Sequence, residues 1–214
     1  MKELYILGAS GHGKVVRDVA ESMGCYENIR FFDDNPDAVL TIGGKNVVEG
    51  SLETLLECAA LNPEAEAFVA IGNNMTREKI QKYLEKEQVR IATLIYKKAV
   101  VSKEAKVGAG TVVMPGAVIN HSAVIGKGCI VNTSSSIDHD NRIGNYCHIS
   151  VGSHLAGTVT VGDRTMIGIG AVVKNNVVIC QDCVIGAGAA VVKDIKCSGT
   201  YIGMPARLTE EDME

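Results

Sequence analysis

An unbroken six-residue repeat in the second half of the chain constrains the fold more than any other feature. From Val101 to Val191 every sixth residue is aliphatic, and the series never loses its phase. A second series lies two residues before the first and consists mainly of small side chains, such as Ala123 and Cys129. A period of six fits neither an α-helix nor a simple alternating strand, but it is typical of a solenoid whose short strands are joined by tight turns.

Three hexads make one coil of eighteen residues, so we predict a triangular β-helix of about five coils stacked at the strand spacing of about 4.8 Å. The aliphatic residue should point inward from each flat face, and the small residue should fill the cramped position near a corner. Glycine often follows the aliphatic residue, as in Val107-Gly108 and Ile125-Gly126. We interpret these glycines as a means of relieving the turn geometry.

The first half of the chain shows a different pattern, that of a βαβ unit with a glycine-rich loop, GASGHG, after its first strand. We therefore predict two domains: a Rossmann-like α/β domain over residues 1–95, and an all-β β-helix with a C-terminal tail over 96–214. The predicted elements of the first domain are strands over 3–7, 29–32 and 67–71 and helices over 14–23 and 76–86.

The glycine loop and two polar clusters form a candidate binding site in the first domain. The spacing G-x-x-G-x-G differs from the dinucleotide fingerprint, and such a loop can also be a simple tight turn. Asp33 and Asp34 end the second strand, where an acid can accept hydrogen bonds from a ribose or a base. Asn73 follows the third strand and could instead cap the next helix. The candidate binding residues are Gly8, Ser10, Gly11, His12, Gly13, Asp33, Asp34 and Asn73.

Composition excludes several classes of function. The net charge of −4 gives no basic surface for nucleic acid, and no apolar run approaches the about 20 residues that a membrane span needs. The seven cysteines are scattered, and the N-terminus lacks the pattern of a signal peptide, so we expect reduced thiols and a cytoplasmic protein. Cys180 and Cys183 have the C-x-x-C form of a metal or redox pair, but the hexad repeat accounts for both.

The segments GASGHG, FFDD and AIGNN, followed by the hexad repeat, resemble a group of hexapeptide-repeat acyltransferases. This is the sialic acid O-acetyltransferase NeuD-like group, which includes PglD-like UDP-4-amino-sugar N-acetyltransferases. The resemblance covers about residues 2–207. It implies an N-terminal domain that holds a nucleotide-sugar, and a left-handed parallel β-helix that binds acetyl-CoA between the subunits of a homotrimer. The chain departs from the group at Tyr96-Lys97-Lys98-Ala99, where many members have an H-P-S-A-like segment.

The segment SSIDHDNRIG places His139 between Asp138 and Asp140, two residues after the inward Ile137 and therefore near a corner. A neutral imidazole can take the proton of an attacking amine, and a neighbouring carboxylate raises its pKa and selects a tautomer. The pattern alone fits a surface histidine at a turn equally well. The resemblance implies that His139 is the catalytic base and that Asp140 is its partner, while the residues leave open which aspartate orients the ring.

The resemblance also implies a set of residues that contact acetyl-CoA. His148 and the backbone N–H of Gly157 match positions at the thioester, Ile169 and Ala187 match positions along the pantetheine, and Arg207 lies where a CoA phosphate would be met. No metal is expected. Ile169 and Ala187 could equally be ordinary members of their coils, and the alternative for His148 is a structural histidine before an inward aliphatic residue.

We therefore predict an acetyl-CoA-dependent N-acetyltransferase of a nucleotide-linked amino sugar, with UDP-4-amino-4,6-dideoxy-N-acetylglucosamine as the best single substrate. Attack on the thioester would be direct, with general-base assistance. One alternative is O-acetylation of sialic acid or serine. Another is a trimeric β-helix that binds zinc through histidines or has no catalytic role.

Overall fold

The computed structural model describes residues 2–209 and divides into two compact units, Met1–Lys97 and Lys98–Glu214. The last part of the acidic tail, 210–214, lies outside the described residues. Within residues 2–209, no helix combines the length and the apolar character needed to cross a membrane.

The first unit is built around a parallel sheet. Its elements are β1 (Lys2–Leu7), α1 (Gly11–Met23), β2 (Tyr26–Phe32), β3 (Thr41–Ile42), β4 (Lys45–Asn46), α2 (Leu52–Leu61), β5 (Glu66–Val69), α3 (Asn74–Lys86), β6 (Arg90–Ile91) and β7 (Leu94–Ile95). Four strands run parallel in the order β2-β1-β5-β6. The chain moves to one side of β1 to form β2 and to the other side to form β5. Such a reversal leaves a crevice at the carboxyl ends of the two central strands, where open α/β sheets bind ligands.

Helix α1 begins earlier than the sequence indicated. The predicted glycine loop ends at Ser10, and Gly11 to Gly13 form the first turn of the helix. Gly13 is buried, and a Cβ atom placed on it would lie 2.1 Å from the carbonyl oxygen of Gly8. This glycine therefore permits close packing of the helix start against the end of β1, which the spacing of apolar side chains could not reveal.

The second unit consists of short strands separated by turns. They are β8 (Val100–Val101), β9 (Lys106–Val107), β10 (Val112–Val113), β11 (Val118–Ile119), β12 (Val124–Ile125), β13 (Ile130–Val131), β14 (Ser136–Ile137), β15 (Arg142–Ile143), β16 (His148–Ile149), β17 (His154–Leu155), β18 (Thr160–Val161), β19 (Met166–Ile167), β20 (Val172–Val173), β21 (Val178–Ile179), β22 (Cys183–Ile185), β23 (Ala190–Val191), β24 (Gly199–Ile202) and β25 (Arg207–Leu208).

Three parallel sheets form the faces of this β-helix. The first face contains β10, β13, β16, β19, β22 and β24, the second contains β8, β11, β14, β17, β20 and β23, and the third contains β9, β12, β15, β18 and β21. Residues eighteen apart in the sequence pair across successive coils, as in Ile137↔Leu155 and Ile143↔Val161. This register confirms the coil predicted from the hexad period.

The inward positions of the repeat form the core of the second unit. From Val113 to Val191 every aliphatic residue of the series is at most 3% exposed, whereas Val101 and Val107 in the first coil are half-buried. The small residues of the second series are buried as well, including the polar Asn141. An aliphatic core of this kind explains how the chain folds with only 4% aromatic residues.

The glycines that follow the aliphatic residues do not serve the purpose predicted for them. Gly108 and Gly126 do not have positive φ; the left-handed conformation occurs two residues later, at Gly110 and Gly128, with φ of 77° and 61°. A Cβ atom on Gly108 would lie 2.6 Å from the backbone of Gly126, and one on Gly126 would lie equally close to Gly144. These glycines therefore permit the close approach of successive coils at one corner.

The β-helix has about six turns, one more than the hexad count indicated. β24 adds to this length, since it pairs in parallel with β22 after the aliphatic series has ended at Val191. The chain then reverses, and β25 pairs antiparallel with β24. The repeat could not predict this continuation because residues 199–202 do not follow its pattern.

Candidate active site

His139 lies in the turn that joins the second face to the third, between β14 and β15. Its Nδ1 atom lies 2.8 Å from Oδ2 of Asp140. Asp140 has φ of 58°, a left-handed conformation that residues other than glycine seldom adopt. The side chains of His139 and Asp140 are 57% and 58% exposed. The turn therefore presents an imidazole–carboxylate pair at one edge of the β-helix.

This pairing determines which ring nitrogen can act as a base. The hydrogen bond to Asp140, aided by the charges of Asp138 and Asp140, raises the pKa of His139 above its usual value. A carboxylate can only accept, so the proton of the neutral ring resides on Nδ1, and Nε2 is the basic nitrogen. Nε2 makes no hydrogen bond to another residue within the described part of the chain. The imidazole is therefore arranged to accept a proton at Nε2.

Asp138, the other aspartate of the segment, holds the backbone and not the ring. Its Oδ1 accepts hydrogen bonds from Nδ2 of Asn120 at 2.9 Å and from the backbone N–H of His139 at 2.8 Å. These bonds, with that of Asn120 the stronger influence, lower the pKa of Asp138. The contact that orients the imidazole thus comes from Asp140.

Gly157 lies eighteen residues after His139, in the same turn of the next coil. It is buried, and a Cβ atom placed on it would lie 2.5 Å from both Cε1 and Nε2 of His139. The imidazole therefore rests over the Cα of Gly157, in space that any other side chain would occupy. In the preceding coil, the carbonyl of His121 accepts the backbone N–H of Asp140 at 3.0 Å.

His148 lies on β16, on the first face of the β-helix. Nδ2 of Asn132 donates to Nε2 of His148 at 3.0 Å, so Nε2 accepts and the proton of a neutral ring is on Nδ1. The ring is half-buried, and its contact with Asn132 fixes its orientation.

The other residues assigned to acetyl-CoA lie either at the edge between the first face, which carries His148, and the second face, or at the end of the unit. Ile169 and Ala187 are exposed in successive turns that join the first face to the second, and Ile169 is 59% exposed. Arg207 is exposed on β25, and its Nη1 donates to the carbonyl of Ala206. Within one chain the predicted residues are therefore split: His139 and Gly157 lie at one edge of the second face, and the remainder lie elsewhere.

The first unit has a cleft of about 280 Å³ at the carboxyl ends of its parallel strands. Of the residues predicted from the sequence, Gly8, Ser10, Asp33 and Asp34 line this cleft. It lies at the reversal point between β1 and β5, because Leu7, Ala70, Ile71 and Gly72 complete its lining. Thr76 and Ile80 of α3 also line it.

Several polar groups around this cleft already hold the fold. Asp33 accepts the N–H of Ala9 at 2.7 Å, and Asp34 accepts the N–H of Leu52, at the start of α2, at 2.8 Å. The side chain of Asn73 accepts the N–H of Thr76 and caps α3. The capping interpretation of Asn73 is therefore confirmed, and the acids act first as supports for the glycine loop and a helix end.

His12 lies in the first turn of α1, and its Nε2 is buried without a hydrogen-bond partner among the described residues. Burial, followed by the positive charge of Arg77, lowers the pKa of His12 to about 4. Arg77 is itself only 1% exposed and donates to the carbonyls of Ile71 and Gly72. His12 is therefore neutral near pH 7, so it could offer a phosphate a hydrogen bond but no charge.

Cys129, Cys147 and Cys183 are buried in the small-residue positions that the repeat assigned to them. All seven are free thiols, and Sγ of Cys180 and Cys183 lie 3.4 Å apart in a turn. Burial, followed by the hydrogen bond with Cys180, raises the pKa of Cys183 to about 12, so its thiol stays protonated. Within residues 2–209, no group of three or more His, Cys, Asp or Glu residues is arranged to hold a metal ion.

Sequence reasoning missed two asparagines, one that supports the His139 turn through Asp138 and one that orients the ring of His148. Asn120 and Asn132 lie in turns, sixteen to nineteen residues before the histidine each one serves, and only the register of the coils brings them close. The eighteen-residue offset, applied to polar turn residues, pairs Asn120 with Asp138 and could have found the first. Asn132 lies sixteen residues before His148, so the offset does not mark it.

Comparison with known families and structures gives consistent matches. Residues 3–84 match the family model of the PglD N-terminal domain. The chain is 36% identical over 110 residues to the UDP-N-acetylbacillosamine N-acetyltransferase of Bacillus subtilis (strain 168), a match covering 51% of this chain and 50% of that protein. The chain thus matches about half the length of this curated relative.

Two solved structures match over nearly the whole chain. The acetyltransferase domain of PglB from Neisseria gonorrhoeae FA1090 has a TM-score of 0.90 and 35% identity, covering 98% of this chain and 100% of that one. PerB from Caulobacter crescentus, solved with CoA and GDP-perosamine, has a TM-score of 0.89 and 35% identity, with 98% of both chains covered. The PglB domain has also been solved with acetyl coenzyme A, and that structure is 36% identical, with a TM-score of 0.89 and 97% and 99% coverage.

Proposed function

The chain belongs to the acetyltransferase family that includes the PglB acetyltransferase domain and PerB, and on that premise we propose that it is an acetyl-CoA-dependent N-acetyltransferase acting on a nucleotide-linked amino sugar. The observation that carries the proposal is the His139–Asp140 pair, whose basic Nε2 rests over Gly157 at an edge of the β-helix. Such a pair supplies the base that an amine needs when it attacks a thioester.

In the proposed reaction the sugar amine attacks the thioester carbonyl of acetyl-CoA directly. Nε2 of His139 accepts the proton that the amine loses, and Asp140 stabilises the imidazolium that forms. Collapse of the tetrahedral intermediate expels the CoA thiolate, which takes up a proton and leaves as the free thiol. General-base assistance of this kind contributes roughly 10²–10⁴-fold in rate, and holding the two substrates together contributes much of the remainder.

We assign to acetyl-CoA the residues that resemble its family positions: His148, Gly157, Ile169, Ala187 and Arg207. The backbone N–H of Gly157 would stabilise the developing oxyanion, since the Cα of this residue lies against the basic imidazole. The exposed Ile169 and Ala187 would cover the pantetheine chain, and Arg207 would meet a CoA phosphate. No metal is invoked in any step.

The split of these residues between two edges of the second face supports a homotrimer. A second chain placed against that face could bring its own His148 edge towards the His139 edge of the first. Exposed valines on the outer surface support such contacts, since Val100 and Val172 of the second face are 61% and 42% exposed. Native mass spectrometry should find three 22.7 kDa chains per particle; a monomer would contradict the proposal.

We place the nucleotide of the substrate in the cleft of the first unit. The crevice at the reversal point of a parallel sheet and the start of helix α1 together suit a ribose and a diphosphate. The contacts would come from Gly8, Ser10, Gly11, His12 and Gly13, with Asp33, Asp34 and Asn73 at the rim. The unpaired Nε2 of His12 supports a ligand on its side of α1.

The best single substrate is UDP-4-amino-4,6-dideoxy-N-acetylglucosamine, and the free thiols support a cytoplasmic location. The test supplies acetyl-CoA together with UDP- and GDP-linked 4-amino sugars and measures the release of CoA and the mass of the product. Release with a UDP-linked amine is expected. Release only with hydroxyl analogues would indicate an O-acetyltransferase, and no release with any acceptor would contradict the proposed function.

A further inference from the structure

Asn141 is an unusual member of the small-residue series. The residues at the same corner of the neighbouring coils are Ala123, Val159 and Val177, and all of them are buried. Asn141 is also fully buried, at 0% exposure. Burying an amide where alanine or valine fits is unfavourable unless its hydrogen bonds compensate.

The donors of this amide converge on the turn that contains His139. Nδ2 of Asn141 donates to the carbonyl of Asp138 at 2.8 Å and to that of Ala156 at 2.9 Å, with a longer contact of 3.4 Å to the carbonyl of His139. Ala156 belongs to the same turn one coil further on, directly before Gly157. The amide therefore ties together the two turns between which the imidazole lies.

The carbonyl oxygen of the Asn141 side chain differs from its NH₂ group, because only the NH₂ group makes hydrogen bonds within residues 2–209. Oδ1 of Asn141 is buried and has no hydrogen-bond partner among the described residues. Burying an acceptor without a hydrogen bond is unfavourable, and valine, as found at Val159, would avoid that cost. The amide is thus kept at a position where an apolar residue would be the more stable choice.

We propose that Asn141 is a positioning residue that fixes the His139 turn for catalysis. It holds the carbonyls of the turn from inside the coil, while Asp138 and Asn120 hold the N–H of His139 from outside. Together they keep the imidazole over Gly157 with Nδ1 on Asp140. The inference rests on the proposed role of His139 as the base.

A change at Asn141 should alter the environment of the His139 ring in a defined way. The titratable groups at this edge are Asp138 and Asp140 in the same turn, His121 one coil before and Lys174 two coils after Asp138. Of these, Asp140 contacts the ring directly and has the largest influence on its pKa. A loosened turn lengthens that contact, so the pKa of His139 should fall towards its ordinary value.

The test compares Asn141→Val and Asn141→Ala with Thr165→Val. The first two introduce residues already present at this corner in adjacent coils, so both are compatible with the fold. Thr165 is a matched control because it is also buried and donates to a carbonyl fifteen residues ahead, that of Cys180, but in a turn that joins the third face to the first. The readouts are kcat, KM for acetyl-CoA, and the pKa of His139 followed by NMR.

We expect both Asn141 variants to lower kcat by about tenfold with little change in KM, because a small displacement of a catalytic group is enough for such a loss, and to lower the pKa of His139. Thr165→Val should leave both quantities unchanged. An unchanged His139 pKa in the Asn141 variants, or an equal loss of kcat in Thr165→Val, would overturn the proposal. The NMR titration needs no turnover, so it decides the positioning role even if acetyl transfer itself is not observed.

Discussion

The cleft of the first unit and the His139 turn of the β-helix use their polar residues in opposite ways. Around the cleft, the side chains of Asp33, Asp34 and Asn73 accept hydrogen bonds from backbone N–H groups and so stabilise the fold. In the turn, His139 and Asp140 are exposed and bond to each other. The cleft is therefore suited to binding by shape and backbone, while the turn offers a reactive side chain.

The two regions also use glycine for the same physical reason but with different consequences. Gly13 allows a helix to pack on the carbonyl of Gly8, and Gly157 allows an imidazole to lie on a neighbouring coil. Neither glycine is required for a left-handed backbone, because neither has positive φ. A methyl group added at Gly13 should therefore destabilise the packing around the cleft. A methyl group added at Gly157 should instead displace the imidazole and lower activity.

The largest expected effect is that of His139→Ala, which removes the proposed base and leaves the coil intact. We expect kcat to fall by roughly 10²–10⁴-fold, while the melting temperature changes little because the side chain is exposed. His121→Ala, at the same turn position one coil earlier and also exposed, is the control and should retain nearly full activity. Full activity in His139→Ala would show that the His139 turn does not supply the base, and the proposed difference between a binding cleft and a reactive turn would then be wrong.

Gly157→Ala should act through the same imidazole without removing it. A Cβ atom 2.5 Å from Nε2 must displace the ring, and overpacking of this kind typically costs about 1–3 kcal/mol. We expect kcat to fall by roughly 10- to 100-fold, with KM for the nucleotide-sugar unchanged. Asn175 lies one coil beyond Gly157 and is exposed, so Asn175→Ala should leave kcat unchanged and serves as the control. Activity equal to that of the unmodified enzyme would show that the ring does not rest there during turnover.

The pair Gly13→Ala and Gly11→Ala tests the architecture of the cleft. A Cβ atom on Gly13 would lie 2.1 Å from the carbonyl oxygen of Gly8, whereas one on Gly11 would meet no atom within 4 Å. We expect Gly13→Ala to lower the free energy of unfolding by about 1–3 kcal/mol and Gly11→Ala to change it by less than about 0.5 kcal/mol, both measured by urea denaturation followed by circular dichroism. Equal effects would contradict the packing described for helix α1.

Asp140→Asn should give the smallest effect on rate but a clear effect on its pH dependence. The activity of a neutral base rises as the pH passes through its pKa, and Asp140 raises that pKa. Removing the carboxylate should therefore move the midpoint of kcat/KM to lower pH and reduce the plateau by about tenfold. Asp138→Asn should shift the midpoint less, because Asp138 influences the ring only through its charge. If the midpoint of the pH profile does not move in Asp140→Asn, the Asp140 carboxylate does not influence the pKa of the base.

Much of the β-helix could be predicted because its period directly reports which residues face inward. The aliphatic series predicted the short strands, the length of a coil and the buried positions. The position of His139 within the eighteen-residue coil predicted that it lies near a corner. The role predicted for Gly108 and its equivalents was wrong. In a sequence, a glycine that permits the close approach of two coils cannot be distinguished from a glycine that a turn requires.

The site was predicted less completely than the fold. The proposed catalytic pair and the choice of Asp140 over Asp138 came from a resemblance, and the residues alone left that choice open until the contact of Asp140 with the ring was seen. The hydrogen bonds of Asn141 were hidden because the residue occupied a regular place in the small-residue series. The start of α1 at Gly11 was missed because glycines at a helix start give no apolar periodicity.

The most direct test of the account compares two titrations of the same protein: the pH dependence of kcat/KM for acetyl transfer, and the protonation of the His139 imidazole followed by NMR in the free enzyme. If His139 is the base, the acid limb of the rate profile has the same pKa as the imidazole, and both lie above the ordinary histidine value. A rate limb that differs from the titration of His139 would contradict the assignment.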